Sequence, residues 1–281
     1  MNNGIFYIAT AASLLLMLAL AVVTGWLLQK AFLRQLNQRL IPTQPPTDTV
    51  DLSTLSSLPA PVQRYFRFAL TDHQPLIIQM DCDQKGMLKA DIHDVRWMHF
   101  KAHHTAVSQP AAFLWNAKIT ASAWLRIHVT DSFTQGAGIS RASLFGIVPV
   151  ATDQNLAPLN EGALHRYLAE AVWYPTALLP QSGVVWTPID EYSALATVSE
   201  GNVTVSLTFH FGEKGEITKI STSGRYRKTR SGYQKTPWEG HFSGYAAHSG
   251  MQIPMQGEVG WYVGDFDLVW KGAITHLDYR F

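Results

Sequence analysis

Alternation of apolar and polar residues is the feature that most constrains the fold of this chain. From Pro75 onward, apolar side chains occupy every second position in one stretch after another. One such series is Val203, Val205, Leu207, Phe209 and Phe211. This pattern is typical of β-strands with one buried face. Because the connections between successive stretches are short, it favours an antiparallel meander over a parallel sheet, with roughly ten or more strands.

Two segments with helical spacing interrupt the strands. The shorter follows Pro59, which suits a first helical turn. In the longer segment we expect Asn160 to cap the helix and Pro175 to end it. The apolar positions of the longer segment are Ala163, Leu164, Tyr167, Leu168, Ala171 and Val172. The predicted fold class is α+β and mostly antiparallel β, with a curved, half-barrel-like meander sheet packed on one or two helices.

The N-terminus carries a long apolar run. The 24 residues from Ile5 to Leu28 contain no charged side chain. A helix of that length covers roughly 36 Å, enough to cross a hydrocarbon core of about 30 Å. A cleaved signal peptide is the alternative, but it would have a basic start and a shorter apolar core. The sequence therefore predicts a single-pass protein held in the lipid bilayer of the cell membrane through Ile5–Leu28.

The remaining organisation follows from the anchor. We predict a transmembrane helix with a short amphipathic extension over residues 1–40, a proline-rich linker over 41–57, and one antiparallel β-rich domain over 58–281. The first basic residues, Lys30, Arg34 and Arg39, all follow the apolar run. Positive charge flanking a span favours the cytoplasmic side, so this bias weakly places the domain in the cytoplasm.

Composition and motifs exclude several classes of function. The net charge is +1, and no basic run marks a nucleic-acid partner. One cysteine, Cys82, excludes an intramolecular disulfide. The segment Asp81–Gly86 resembles the start of a calcium loop, but Ile92 stands where a bidentate carboxylate is required, so we predict a turn there. No histidine spacing indicates a metal site, and we predict neither a metal nor a cofactor.

The segment Arg166–Pro180 contains the main candidate site. Arg166 and Glu170 are four residues apart on the predicted helix and can pair. One interpretation is an amphipathic helix that docks on the sheet; the other makes its residues the wall of a ligand pocket between helix and sheet. The candidate ligand-binding residues are Arg166, Tyr167, Glu170, Trp173, Trp238, Glu239 and Glu258.

Four segments of the chain resemble an uncharacterised family of bacterial membrane-anchored proteins. They are Leu58–Tyr65, Arg166–Pro180, Thr236–Gly240 and Ile253–Trp261. This resemblance supplies no catalytic residues. The strand pattern also resembles the curved half-barrels of bacterial lipoprotein carriers, in which a sheet wraps around helices and an apolar cavity. The second resemblance favours the side of the membrane opposite to the one indicated by the basic residues.

Two hypotheses of function remain open. Eight tryptophans follow Trp26, and a curved sheet lined with aromatic residues can hold a lipid, an acyl chain or another apolar ligand. We therefore predict a membrane-anchored, non-enzymatic binding module. The alternative is a membrane-bound enzyme of unknown reaction that uses Arg166, Glu170, Glu239 and Glu258 in a helix–sheet cleft, with Asp190 as a further candidate. A large apolar cavity would favour binding, whereas carboxylates and histidines converging in a cleft would favour catalysis.

Overall fold

The computed structural model describes residues 2–40, 42 and 48–281, with side chains from residue 6 onward. Most of the proline-rich segment of the predicted linker, residues 41 and 43–47, lies outside the described residues. Three α-helices are present in the described part: α1 (Asn2–Gln38), α2 (Ala60–Ala69) and α3 (Ala157–Glu170). Short 3-10 turns flank α2 and α3, at Leu52–Ser57, Ala171–Trp173, Pro175–Leu178 and Pro180–Ser182.

The described residues form one antiparallel sheet of thirteen strands. The strands are β1 (Gln79–Leu88), β2 (Met98–Val107), β3 (Ala112–Thr120), β4 (Arg126–Thr134), β5 (Ala137–Leu144), β6 (Val148–Gln154), β7 (Val185–Pro188), β8 (Ser193–Glu200), β9 (Val203–Phe211), β10 (Ile217–Thr229), β11 (Gly232–His248), β12 (Met251–Val263) and β13 (Asp265–Arg280). Their order across the sheet is β6-β5-β4-β3-β2-β1-β13-β12-β11-β10-β9-β8-β7. Pairing of β1 with β13 joins two meanders into one sheet.

Helix α3 connects the two edge strands, β6 and β7, and packs inside the curve of the sheet. It contacts β4 and β5 on one side and β9, β10 and β11 on the other. The apolar face of the sheet therefore encloses the helix, because both bury their apolar side chains against each other. This mostly antiparallel, curled half-barrel with a few helices and an apolar N-terminal helix confirms the predicted fold class.

The start of α3 differs from the prediction. The helix begins at Ala157, three residues before Asn160, and the preceding residue Leu156 provides no side-chain cap. Asn160 is buried instead: its Oδ1 accepts a hydrogen bond from the backbone N of Gly138 at 2.8 Å. The Asn160 amide thus ties α3 to β5. The prediction of a capping role was wrong because a tertiary partner takes the side-chain oxygen.

The segment Asp81–Gly86 is also not a turn. It lies inside β1, where Cys82 and Gln84 are buried and a register shift falls between Asp83 and Gln84. Gly86 allows a close approach of β13, since a Cβ at that position would collide with the carbonyl oxygen of Lys271. The polar residues that suggested a turn form the outward face of a central strand.

The main core fills the space between the sheet, α2 and α3. Its largest fully buried side chains include Tyr65, Phe66, Phe113, Phe133, Leu164, Leu168, Tyr174 and Phe209. Val50 and Leu55, from the segment assigned to the linker, belong to the same core. The domain limits at residues 40 and 57 stay predictions.

Helix α1 has an exposed half and a packed half. Residues Phe6–Gln38 are long and apolar enough to cross a membrane by length and composition, and the most apolar part is unburied. Toward its C-terminal end, α1 lies on the outer face of the sheet. There Leu36 and Leu40 pack with a small apolar cluster of Val107, Ala112, Leu114 and Ile139. A Cβ on Gly25 would collide with Ile147, in the turn between β5 and β6. The helix thus crosses the outside of β2–β5.

Candidate ligand-binding cavity

A cavity of about 530 Å³ lies between α3 and the concave face of the sheet. This volume falls within the range of roughly 300–1,000 Å³ that is common for small-molecule sites. Most of the wall is apolar or aromatic. The apolar lining includes Met98, Trp115, Ile119, Ile127, Val129, Trp173, Trp238, Phe242, Val259, Trp261 and Trp270. Five charged residues interrupt that lining: Lys89, Asp131, Arg166, Glu170 and Arg225.

Arg166 is the centre of the charged part of the wall. Its Nε donates to Glu170 Oε1 at 2.9 Å, as the spacing of four residues predicted, and its Nη1 donates to Asp131 Oδ2 at 2.9 Å. The guanidinium also lies over the rings of Phe113 and Trp115. Burial by itself lowers the pKa of Arg166, but the two carboxylates raise it above its usual value. Arg166 is therefore a permanent cation at the cavity wall.

Arg225, on β10, supplies a second cation to the cavity wall. Its Nη2 donates to the backbone O of Gly162 at 3.0 Å, and the guanidinium lies over the rings of Trp238 and Trp261. Burial, with repulsion from Arg166, lowers the pKa of Arg225 to about 10, so the group still carries its charge at neutral pH. With Lys89, the two arginines and two carboxylates give the cavity wall a formal charge of +1.

His104 lies beneath Glu170 and is fully buried. Its Nε2 is 3.5 Å from Glu170 Oε2, and among the described residues neither ring nitrogen has a hydrogen-bond partner. Burial lowers the pKa of His104 to about 4, although the charge of Glu170 opposes this shift. The imidazole is therefore neutral at physiological pH. Glu170 Oε2 also lacks a hydrogen-bond partner within the described chain.

The two tryptophans predicted for the site both line the cavity. Trp173 is 3% exposed and donates from Nε1 to the backbone O of Pro254 at 3.1 Å. Its ring meets Phe242 edge-on. Trp238 is equally buried, yet its Nε1 has no acceptor among the described residues. That N–H is a free donor on a residue that lines the cavity.

The other predicted residues lie elsewhere. Tyr167 is buried on α3 but is not part of the cavity wall, and its hydroxyl donates to the backbone O of Ser108 at 2.9 Å. Glu239 is not part of the wall either: its carboxylate contacts Lys219 and His241. Glu258 is exposed and lines a groove on the outer face. The structure thus brings together Arg166, Glu170, Trp173 and Trp238. As ligand-binding residues, all seven stay predictions.

Sequence reasoning missed three charged or titratable groups: Asp131, Arg225 and His104. The alternation contained a signal for two of them. Asp131 continues the inward phase of Ile127 and Val129 on β4, and His104 continues the phase of Met98, Phe100 and Ala102 on β2. A polar residue in the apolar phase of a strand is a candidate for the interior. Within the described residues, no group of three or more His, Cys, Asp or Glu side chains is placed to hold a metal ion.

Comparison with known proteins gives a family and one structural likeness. The model of a family of unknown function, DUF6920, matches residues 56–279. Among solved structures, a LolA superfamily protein from Nitrosomonas europaea matches with a TM-score of 0.40 and 9% sequence identity, over 83% of this chain and 94% of that one. No curated protein matches the sequence.

Proposed function

The chain belongs to this family of unknown function, and we propose that it is a membrane-anchored binding protein for an apolar ligand such as a lipid or an acyl chain. The observation that carries the proposal is the cavity of about 530 Å³ with a mostly aromatic and aliphatic wall. Burial of an apolar chain against such a wall is favourable at roughly 25 cal/mol per Å² of apolar surface.

The charged part of the wall suits an amphipathic ligand. Arg166 and Arg225 remain cationic, and Glu170 Oε2 and Trp238 Nε1 have no hydrogen-bond partner among the described residues. A buried polar atom without a partner is costly, so a ligand that supplies the missing hydrogen bonds is stabilised. A polar head group next to these atoms would form the missing hydrogen bonds, and an apolar chain along the tryptophans would pack against the apolar wall.

Anchoring is part of the same proposal. An uncharged helix at Ile5–Leu28 would hold the cavity close to a source of lipid. Lys30, Arg34 and Arg39 favour a cytoplasmic domain by the positive-inside bias. Carbonate washing should leave the full chain in the membrane pellet, and its release would contradict the anchor. A phosphatase reporter fused after Phe281 is active only outside the cytoplasm, so high activity would place the domain on the other side.

Native mass spectrometry of the detergent-extracted full chain tests binding directly. We expect a co-purified lipid or fatty acid. Ala142→Phe, a substitution at the cavity wall, should reduce its occupancy at least severalfold because the added ring takes up cavity volume. Thr204→Phe, at an exposed position on β9, is the matched control and should retain the ligand. Equal occupancy in both variants, or no bound apolar molecule in the unsubstituted chain, would refute the proposal.

One observation favours an enzyme as the second candidate. Glu170 Oε2 lies 3.5 Å from His104 Nε2, and a neutral imidazole beside a carboxylate has the composition of an acid–base pair. If this pair acts in catalysis, the unsubstituted protein should convert some component of a lipid extract, and Glu170→Gln should stop that conversion while the lipid still binds. Unchanged lipids after prolonged incubation would leave binding as the function.

A further inference from the structure

Three hairpin turns lie together at one end of the sheet and carry exposed apolar side chains. They are the turns β1–β2 (residues 89–97), β3–β4 (121–125) and β5–β6 (145–147), which alternate with turns at the opposite end because the strands are antiparallel. We call this the anchor end. Its exposed apolar residues are Val95, Trp124 and Phe145, followed by Val148 and Val150 at the start of β6. Val95 and Trp124 are 94% and 77% exposed.

Helix α1 leaves the sheet at this same end. Leu36 and Leu40 pack near the opposite end of β2 and β3, and Gly25 contacts Ile147 in the β5–β6 turn. The helix residues before Gly25 extend beyond the sheet, and their large apolar side chains are exposed. Trp26 and Lys30, one turn apart, stack on each other at this level. Tryptophan and lysine are residues that mark a membrane interface, so the anchor end lies at the depth where the apolar span ends.

A basic groove lies on the outer face next to the anchor end. Lys85, Lys101 and Lys118 stand directly opposite one another on β1, β2 and β3. Like charges in opposing positions destabilise a sheet. None of the three forms an ion pair among the described residues. Lys271 and Arg126 extend the groove, and its single acidic side chain is Glu258.

The groove is close enough to the anchor end to act with it. Each of the three lysines is two or three residues from the strand end, or about 7–10 Å at a rise of ~3.3 Å per residue. This distance is comparable to the Debye length of about 8 Å at physiological salt. Four carboxylates also lie at this end, Asp91, Asp94, Asp265 and Asp267, but none of them lines the groove.

We propose that the anchor end docks on the surface of an anionic bilayer, with Val95, Trp124 and Phe145 in the interface and the lysine groove against the lipid head groups. This inference rests on the proposed anchoring of Ile5–Leu28. The cavity reaches the same end, because its wall includes Leu88, the last residue of β1, and Lys89 and Ala90, the first residues of the β1–β2 turn. Docking therefore brings the cavity to the bilayer surface, where an apolar ligand can pass between membrane and cavity without crossing water.

The test uses the full chain in lipid nanodiscs, of phosphatidylcholine alone or with 30% phosphatidylglycerol. Trp124→Cys is labelled with an environment-sensitive fluorophore, and Ala247→Cys, exposed on β11 near the opposite end of the sheet, is the matched control. Cys82 is fully buried, so the unsubstituted chain checks for background labelling. Lipids with a quencher near the head group should quench the label at position 124 severalfold more than the label at 247. Equal quenching at both sites in anionic discs would overturn the proposal.

Charge is tested in the same discs. Each lysine near an anionic surface should change the ratio of docked to undocked protein about fivefold, so the triple Lys→Gln variant of the groove should lower it by roughly a hundredfold. Salt at 0.5 M should lower the ratio of docked to undocked protein in the unsubstituted chain. Because this measurement needs no substitution, a folding defect in the lysine variant cannot affect it. Quenching unaffected by salt, by the lysines and by the anionic lipid would overturn the role of the groove.

The outcomes separate docking from the binding function. Native mass spectrometry of the same preparation reports whether the cavity holds an apolar molecule. Docking without a bound molecule refutes the proposed function and leaves this inference standing. A bound molecule without docking refutes this inference alone. Release of the chain from discs by carbonate would refute the anchoring on which both depend.

Discussion

The charge on Glu170 should stabilise the folded domain by more than an exposed helical pair does. Arg166 and Glu170 are 19% and 14% exposed, so both charges lie largely out of water. Glu170→Gln keeps the size of the side chain but removes its charge. An exposed pair contributes about 0.3–0.5 kcal/mol, and breaking a buried one costs about 3–5 kcal/mol. Because Arg166 keeps Asp131 as a partner at 2.9 Å, we expect a loss of about 2 kcal/mol, between these limits.

Thermal unfolding of the full chain in detergent measures this loss. For a domain of this size, about 2 kcal/mol corresponds to a fall in the melting temperature of roughly 4–8 °C. Glu258→Gln is the matched control, since Glu258 is exposed and forms no ion pair among the described residues. Its melting temperature should stay within about 1 °C of the unsubstituted protein, because surface substitutions rarely matter. Combining Glu170→Gln with Arg166→Met should show a coupling of about 0.5–3 kcal/mol.

Equal melting temperatures for Glu170→Gln and Glu258→Gln would refute the stability argument and indicate that water screens the Arg166–Glu170 pair. If Glu170→Gln also lost its ligand without a change in melting temperature, the carboxylate would act on the ligand alone. If stability and ligand fell together, the ion pair would be a structural requirement of the cavity, and a direct contact between Glu170 and the ligand would be unsupported.

Three further predictions follow from buried or paired groups. Trp173→Ala should lower the free energy of unfolding by about 3–5 kcal/mol, measured by thermal unfolding. Trp173→Phe should lower it less because the phenyl ring keeps most of the packing. Similar losses in the two variants would contradict a packing role for Trp173. Hydrogen bonds and charge from Asp81 and Asp83 raise the pKa of His103 to about 9. The stability from that pairing should be complete below pH 6.5 and lost as the pH rises through 9, and His103→Gln should flatten the change in melting temperature over this window. Burial lowers the pKa of His104 to about 4. Between pH 6.5 and 4 the unfolded chain therefore binds more protons than the folded one, and stability should fall as the pH is lowered through this range. NMR of the His104 ring should show a neutral imidazole at pH 5, and a protonated ring there would contradict the argument.

The strand content and the helices follow from local patterns in the sequence. Period-two alternation requires only that neighbouring side chains point to opposite faces, and this holds in any antiparallel sheet. The same logic predicts the pairing of Arg166 with Glu170, because residues four apart on a helix are neighbours whatever surrounds them. The run Ile5–Leu28 is apolar enough to predict a long helix from composition alone.

Local patterns fail where a distant partner decides the structure. Asn160 suits an N-cap by residue type, but its amide oxygen accepts a hydrogen bond from the backbone N of Gly138 on β5. Asp81 and Asp83 suit a turn, but β1 is the strand through which the first and last parts of the chain pair. In both cases the residue type shows that the side chain can form a hydrogen bond, but the tertiary structure determines which partner it bonds to.

By itself, the sequence determined the fold class, the long apolar helix and helix α3 with its ion pair. Only the tertiary structure decided that Asp131, Arg166 and Arg225 share one cavity, while Glu239 and Glu258 lie outside it. The physical reason is that periodicity specifies which residues share a face of a strand, but not which face is concave. Curvature and register arise from packing among all thirteen strands and α3, and these contacts join residues that are far apart in the chain.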